Sequence, residues 1–126
     1  MFRLSVKSRF AAAHHLVNYR GSCSRLHGHT WEVEVSVEGT SLDHCGMLVD
    51  FNALKQAVNN VLKDLDHAYL NQLPPFNQEN FNPTAENLAR YVFERLKPAL
   101  PPGTSLAEVR VWESPDASAS YWEEHK

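Results

Sequence analysis

The chain opens on alternation. Phe2, Leu4 and Val6 are separated by Arg3, Ser5 and Lys7, a period-two pattern that predicts a strand with one buried face, continuing through Phe10. The pattern returns where Trp31, Val33, Val35 and Val37 stand between polar neighbours, and it predicts a second strand over about 27–38. The period then lengthens. Phe51, Leu54, Val58, Val61, Leu62 and Leu65 recur at helical spacing behind Asp50, a residue suited to an N-cap. A second helix is predicted from Thr84, with Glu86 in its first turn, Leu88, Tyr91, Val92 and Leu96 following, and Pro98 as its stop. Alternation resumes at Val109-Arg110-Val111-Trp112-Glu113, whose parity puts Val109, Val111 and Glu113 on one face, and the last strand spans 118–122. Residues 17–25, 39–46 and 72–82 read as connections, the last carrying Pro74-Pro75.

The order is therefore ββ-αα-ββ. It predicts an α+β fold in one domain spanning 1–126, with a four-stranded antiparallel sheet and both helices on one face. A chain of 126 residues buries roughly two-thirds of its unfolded surface. The second face of such a sheet is left bare by its own chain, so closure into a barrel with other copies, or stacking, is expected.

Composition narrows the function classes. The net charge of −3 and the scattered basic residues give no reason to expect nucleic acid as a partner. No apolar run reaches membrane-spanning length, and Met1-Phe2-Arg3-Leu4-Ser5-Val6 lacks the layout of a signal peptide. Cys23 and Cys45 are accordingly expected as reduced thiols in a cytoplasmic protein.

The candidate chemistry sits where the second strand begins, in Cys23-Ser24-Arg25-Leu26-His27-Gly28-His29. Side chains two apart on a strand point to the same face, so His27 and His29 can aim two imidazoles at one point. A catalytic zinc takes three protein ligands and keeps a position open. Phe10-Ala11-Ala12-Ala13-His14-His15 offers the third imidazole. His14 and His15 face opposite ways on a regular strand, and a bulge would exchange them.

These residues resemble the 6-pyruvoyl-tetrahydropterin synthase family over nearly the whole chain. The matching pieces are Phe10-Ala-Ala-Ala-His14, Cys23-x-x-x-His27-Gly-His29, Gly46-Met-Leu-Val-Asp50-Phe51, Leu65-Asp66-His67-x-x-Leu70-Asn71, Pro83-Thr84-Ala-Glu86-Asn87-Leu-Ala89 and Val109-x-Val-x-Glu113. The compact spacing from Cys23 to His27 is most similar to the 6-carboxy-5,6,7,8-tetrahydropterin synthase branch of queuosine biosynthesis, a tRNA modification pathway. The resemblance implies a tunnelling fold whose subunits form a trimeric barrel and stack as a homohexamer. It implies one zinc per site, held by His14, His27 and His29, with His15 a non-ligand standing where the family commonly has arginine.

The implied reaction is carbon–carbon cleavage of 7,8-dihydroneopterin triphosphate to 6-carboxytetrahydropterin, acetaldehyde and triphosphate. Cys23 matches the proton-transferring cysteine, and Asp66 with His67 matches the second half of the relay. Glu113 matches the carboxylate that accepts paired hydrogen bonds from the pterin ring. Thr84 is expected either at the pterin edge or as a helix cap, and Arg25 near phosphate or substrate oxygens. Asp50 is expected as a cap, His44 as a surface residue and Cys45 as inert. The alternatives are the sister synthase, which eliminates triphosphate without cutting the side chain, relaxed specificity toward related pterins, and a non-catalytic zinc- or pterin-binding oligomer.

Overall fold

The structure is a computed structural model and describes residues 1–18, 21 and 24–124. Its elements are β1 (Phe2–His14), β2 (His27–Gly39), α1 (Phe51–Leu62), β3 (Ala68–Tyr69), α2 (Ala85–Leu96), β4 (Ser105–Ser114) and β5 (Ala117–Tyr121). The four long strands pair antiparallel in the order β1-β2-β4-β5, and both helices cover one face. Short β3 joins β1 in parallel, extending the expected four-stranded sheet to five strands. A two-residue strand carries too little pattern to announce itself.

β1 runs four residues past Phe10, because Ala11 to His14 pair residue by residue with Thr30 to His27. That register places Phe10 opposite Trp31, Ala12 opposite His29 and His14 opposite His27. The core face therefore grades along two strands from aliphatic Val6 and Val35, through stacked Phe10 and Trp31, to histidines. α1 stops at Leu62, short of the periodicity that included Leu65, although Leu65 remains fully buried in the turn that follows. That turn ends at His67, whose φ of 59° reverses the chain into β3.

Both caps form as expected. Asp50 accepts the Asn52 N–H at 2.7 Å and Thr84 the Asn87 N–H at 3.1 Å. Leu54, Val58 and Leu62 from α1 and Leu88, Val92 and Leu96 from α2 meet Val33, Val35, Val109 and Val111 in the core. The opposite sheet face is polar, carrying Lys7, Arg9, Glu32, Glu34 and Arg110, with Lys7 paired to Glu32 at 3.3 Å. Hydration serves such a face, so it does not itself require the cover that the strand pattern suggested. No helix among the described residues is long and apolar enough to cross a membrane.

Candidate metal centre

The end of β1 and the start of β2 bring three imidazoles together. Ring centroids of His14, His27 and His29 lie 4.5, 5.1 and 4.7 Å apart pairwise, and Trp31 packs edge-on against His14 and His29. His14 is fully buried. Its Nδ1 lies 2.7 Å from the Pro83 carbonyl oxygen, and the His27 Nδ1 lies 2.7 Å from the Arg25 carbonyl oxygen. A carbonyl only accepts, so each Nδ1 carries the ring proton and each Nε2 exposes a lone pair.

Those two Nε2 atoms stand 2.9 Å apart. Two lone pairs at that distance repel unless a proton or a cation lies between them. Burial holds His14 below the ordinary imidazole range, overriding the opposing pull of the Pro83 carbonyl and Glu113, which disfavours the proton. Burial likewise lowers His29, whose Nε2 is buried and among the described residues has no hydrogen-bond partner. Among the described residues, His14, His27, His29 and Glu113 offer donor atoms that all lie within 4.8 Å of one another. Neutral imidazoles with inward lone pairs beside a carboxylate are the donor set a divalent transition metal takes, so these residues fit a zinc ion.

Glu113 extends the buried face of β4 as its parity predicted, and Oε1 lies 3.5 Å from Nε2 of both His14 and His29. Beside it, Lys7, Arg9, Thr30, Glu32 and Trp112 line an open cavity of about 640 Å³ that His29 also borders. His15 points elsewhere. Its Nδ1 is 2.7 Å from the Tyr69 hydroxyl, and Asn71 clamps its backbone through bonds of 2.9 Å and 3.0 Å. The strand stays regular to His14, so the choice between the two histidines falls on His14.

Asp66 and His67 lie apart from the imidazole cluster. Asp66 Oδ2 is 3.0 Å from His67 Nδ1, while Oδ1 accepts the Ala11 N–H at 2.9 Å. That backbone bond, more than the histidine, holds the Asp66 carboxyl below its ordinary range. The His67 side chain is 82% exposed. Thr84 spends its hydroxyl on the α2 cap, one residue after the carbonyl that anchors His14. Arg25 is exposed and enters the site through its carbonyl. Cys23 lies outside the described residues. Asp43, His44 and Cys45 form a second group of donors, all exposed on one turn, with Asp43 Oδ1 already accepting two backbone N–H groups.

The sequence reading missed the positioning groups, namely the Pro83 carbonyl, Asn71 and Tyr69. Asn71 and Pro83 stand inside motifs that resemble the family's, but a backbone acceptor or a clamp has no signature apart from the strand it serves.

A family model described as 6-pyruvoyl tetrahydropterin synthase matches residues 3–124. The chain belongs to this family. A Haemophilus influenzae relative named 6-carboxy-5,6,7,8-tetrahydropterin synthase is 33% identical, covering 98% of this chain and 100% of its own length. A Pyrococcus furiosus relative named dihydroneopterin monophosphate aldolase is 37% identical, covering 88% of this chain and 89% of its own. The solved structure of Caenorhabditis elegans 6-pyruvoyl tetrahydropterin synthase superposes with a TM-score of 0.85 at 28% identity, covering 98% of this chain and 96% of that one. Membership bears out the resemblance that the ordered motifs carried. The family hosts several named outcomes on one fold, so the outcome in this member is a question about its site.

Proposed function

We propose that the protein is a zinc-dependent carbon–carbon lyase, a 6-carboxy-5,6,7,8-tetrahydropterin synthase. It would convert 7,8-dihydroneopterin triphosphate, with uptake of water, to 6-carboxytetrahydropterin, acetaldehyde and triphosphate. The observation that carries the reading is the convergence of three imidazoles, two with their Nε2 lone pairs turned inward, beside a carboxylate. A relative of that name aligned along its whole length supports the branch.

His14, His27 and His29 would hold the zinc, which supplies Lewis-acid polarisation of the substrate's side-chain hydroxyls when bound. Glu113 would accept hydrogen bonds from the ring N–H and exocyclic amine of the pterin, which a single carboxylate can take side by side. Cys23 would remove a side-chain proton as a thiolate. Asp66 would hold the His67 proton on Nδ1, leaving Nε2 free to exchange a proton with substrate. Thr84 and Arg25 would border the substrate's ring edge and phosphates. The same reading carries a homohexamer, supported by the outer edge of β5, which pairs with no strand among the described residues and is available as a template for another strand. Light scattering measures that assembly.

The decisive experiment incubates zinc-loaded protein with 7,8-dihydroneopterin triphosphate and measures acetaldehyde together with the mass of the pterin product. Stoichiometric acetaldehyde and a carboxylated tetrahydropterin are expected. Triphosphate release with a pyruvoyl product would move the protein to the sister reaction. No turnover in a metal-replete oligomer would leave a binding protein.

A further inference from the structure

Pro83 gives His14 the carbonyl that orients its ring, yet a proline has no N–H with which to anchor itself. The place of that carbonyl is therefore set by the residues on either side. Thr84 is held by the α2 cap, where its hydroxyl accepts the Asn87 N–H. Asn82 is held by a different set of bonds.

Pairing of β1 with β2 ends at His14, and just beyond it the backbone of Val17 is met by the Asn82 side chain. Asn82 Oδ1 accepts the Val17 N–H at 2.9 Å, and Nδ2 donates to the Val17 carbonyl at 2.9 Å. An N–H only donates and a carbonyl only accepts, so the amide has one orientation there. The backbone carbonyl of Asn82 in turn accepts Asn87 Nδ2 at 2.9 Å and the Thr84 N–H at 2.9 Å. Two adjacent residues at the start of α2 thus grip the end of β1 twice, Asn82 at the Val17 backbone and Pro83 at the His14 ring.

The geometry points to Asn82 as a positioning residue for the metal centre, one that bonds to no imidazole but fixes the Pro83 carbonyl against the segment carrying His14. It thereby fixes the direction of the His14 Nε2 lone pair, and Asn87 supports it from α2. This deepens the metal reading above and rests on it. Partners behind a ligating histidine hold its tautomer and ring orientation, and losing one weakens metal binding about 10–100-fold.

The test reads affinity by cobalt(II) titration, followed by visible absorption, and ring orientation by the histidine N–H resonances of the zinc-loaded protein. Asn82→Ala should bind cobalt about 10–100-fold more weakly than wild type. Its His14 Nδ1–H should exchange faster with solvent, while the His27 Nδ1–H, held by the Arg25 carbonyl, stays unchanged. Asn82→Asp keeps the acceptor for the Val17 N–H and loses the donor, so it should fall between wild type and alanine. Asn87→Ala leaves β1 untouched and keeps the N–H that Thr84 accepts, so it should weaken cobalt binding in the same direction by less. That variant guards against a folding defect at position 82. Wild-type affinity in both Asn82→Ala and Asn87→Ala would overturn the positioning role and leave the metal site standing. Weaker binding with both ring N–H signals disturbed equally would also overturn it, because general loosening does not single out His14. No cobalt uptake by wild type would overturn the metal reading itself, and this inference with it.

Discussion

The protein presents histidine in two contrasting settings. His14 is fully buried at the meeting of two long strands, with one ring nitrogen tied to a backbone carbonyl and the other facing two more imidazoles. His67 stands 82% exposed in a left-handed turn, tied to the neighbouring Asp66. Burial makes the first a neutral donor with its lone pair held in place, which is what a metal ligand must be. Exposure leaves the second in contact with solvent beside a carboxylate, the setting in which the proposed acid–base role would act. Under the proposed function, burial and partner would direct the same side chain to different chemistry before any substrate is considered.

Breaking the buried member should have the largest effect. His14→Ala removes one of three imidazole donors and the anchor to Pro83, so metal content after dialysis should fall at least a hundredfold, and turnover with it. Retention of stoichiometric metal in that variant would contradict the ligand assignment. The exposed member should separate the two functions. His67→Ala should lower kcat by about 10²–10⁴, the range of a lost general acid or base, with metal content unchanged. Asp66→Asn should follow it in kcat and also loosen the attachment to β1, because Asp66 holds the Ala11 N–H.

A third measurement sharpens the contrast through pH. In metal-free protein, His14 and His29 have folded-state values below the unfolded imidazole value of about 6.5. The unfolded chain thus binds protons first as pH falls. Stability should be complete above about 6.5 and decline as pH drops through the lowered folded values. Urea unfolding at pH 7.5 and 5.5 measures this, and the decline should shrink in His29→Ala. The smallest effect is expected at the cap. Thr84→Ala should cost about 1 kcal/mol of stability. It should weaken metal binding slightly, because the Pro83 carbonyl that orients His14 begins the same turn.

Much of this was legible along the chain. Periodicity placed both long helices and the four long strands, because burial on one face imposes periods of two and 3.6 residues wherever those elements pack. The parity of His27 with His29, and of Glu113 with Val109 and Val111, identified side chains that the structure brings within 4.8 Å together with His14. Element ends were less legible. Leu65 kept its place in the core after the helix stopped, so its burial continued a helical pattern that hydrogen bonding had abandoned.

What the sequence determined by itself was local: strand faces, helix faces, caps and the motif spacing that marks the family. Choosing His14 over His15 needed the register of β1 against β2. The ring proton positions needed the carbonyls of Pro83 and Arg25, and the approach of Glu113 to His14 and His29 needed β4 to lie beside β2 in the sheet. These are relations between segments distant in the chain. They are set by which backbone groups remain unpaired once the sheet is built, and no period within one segment encodes them.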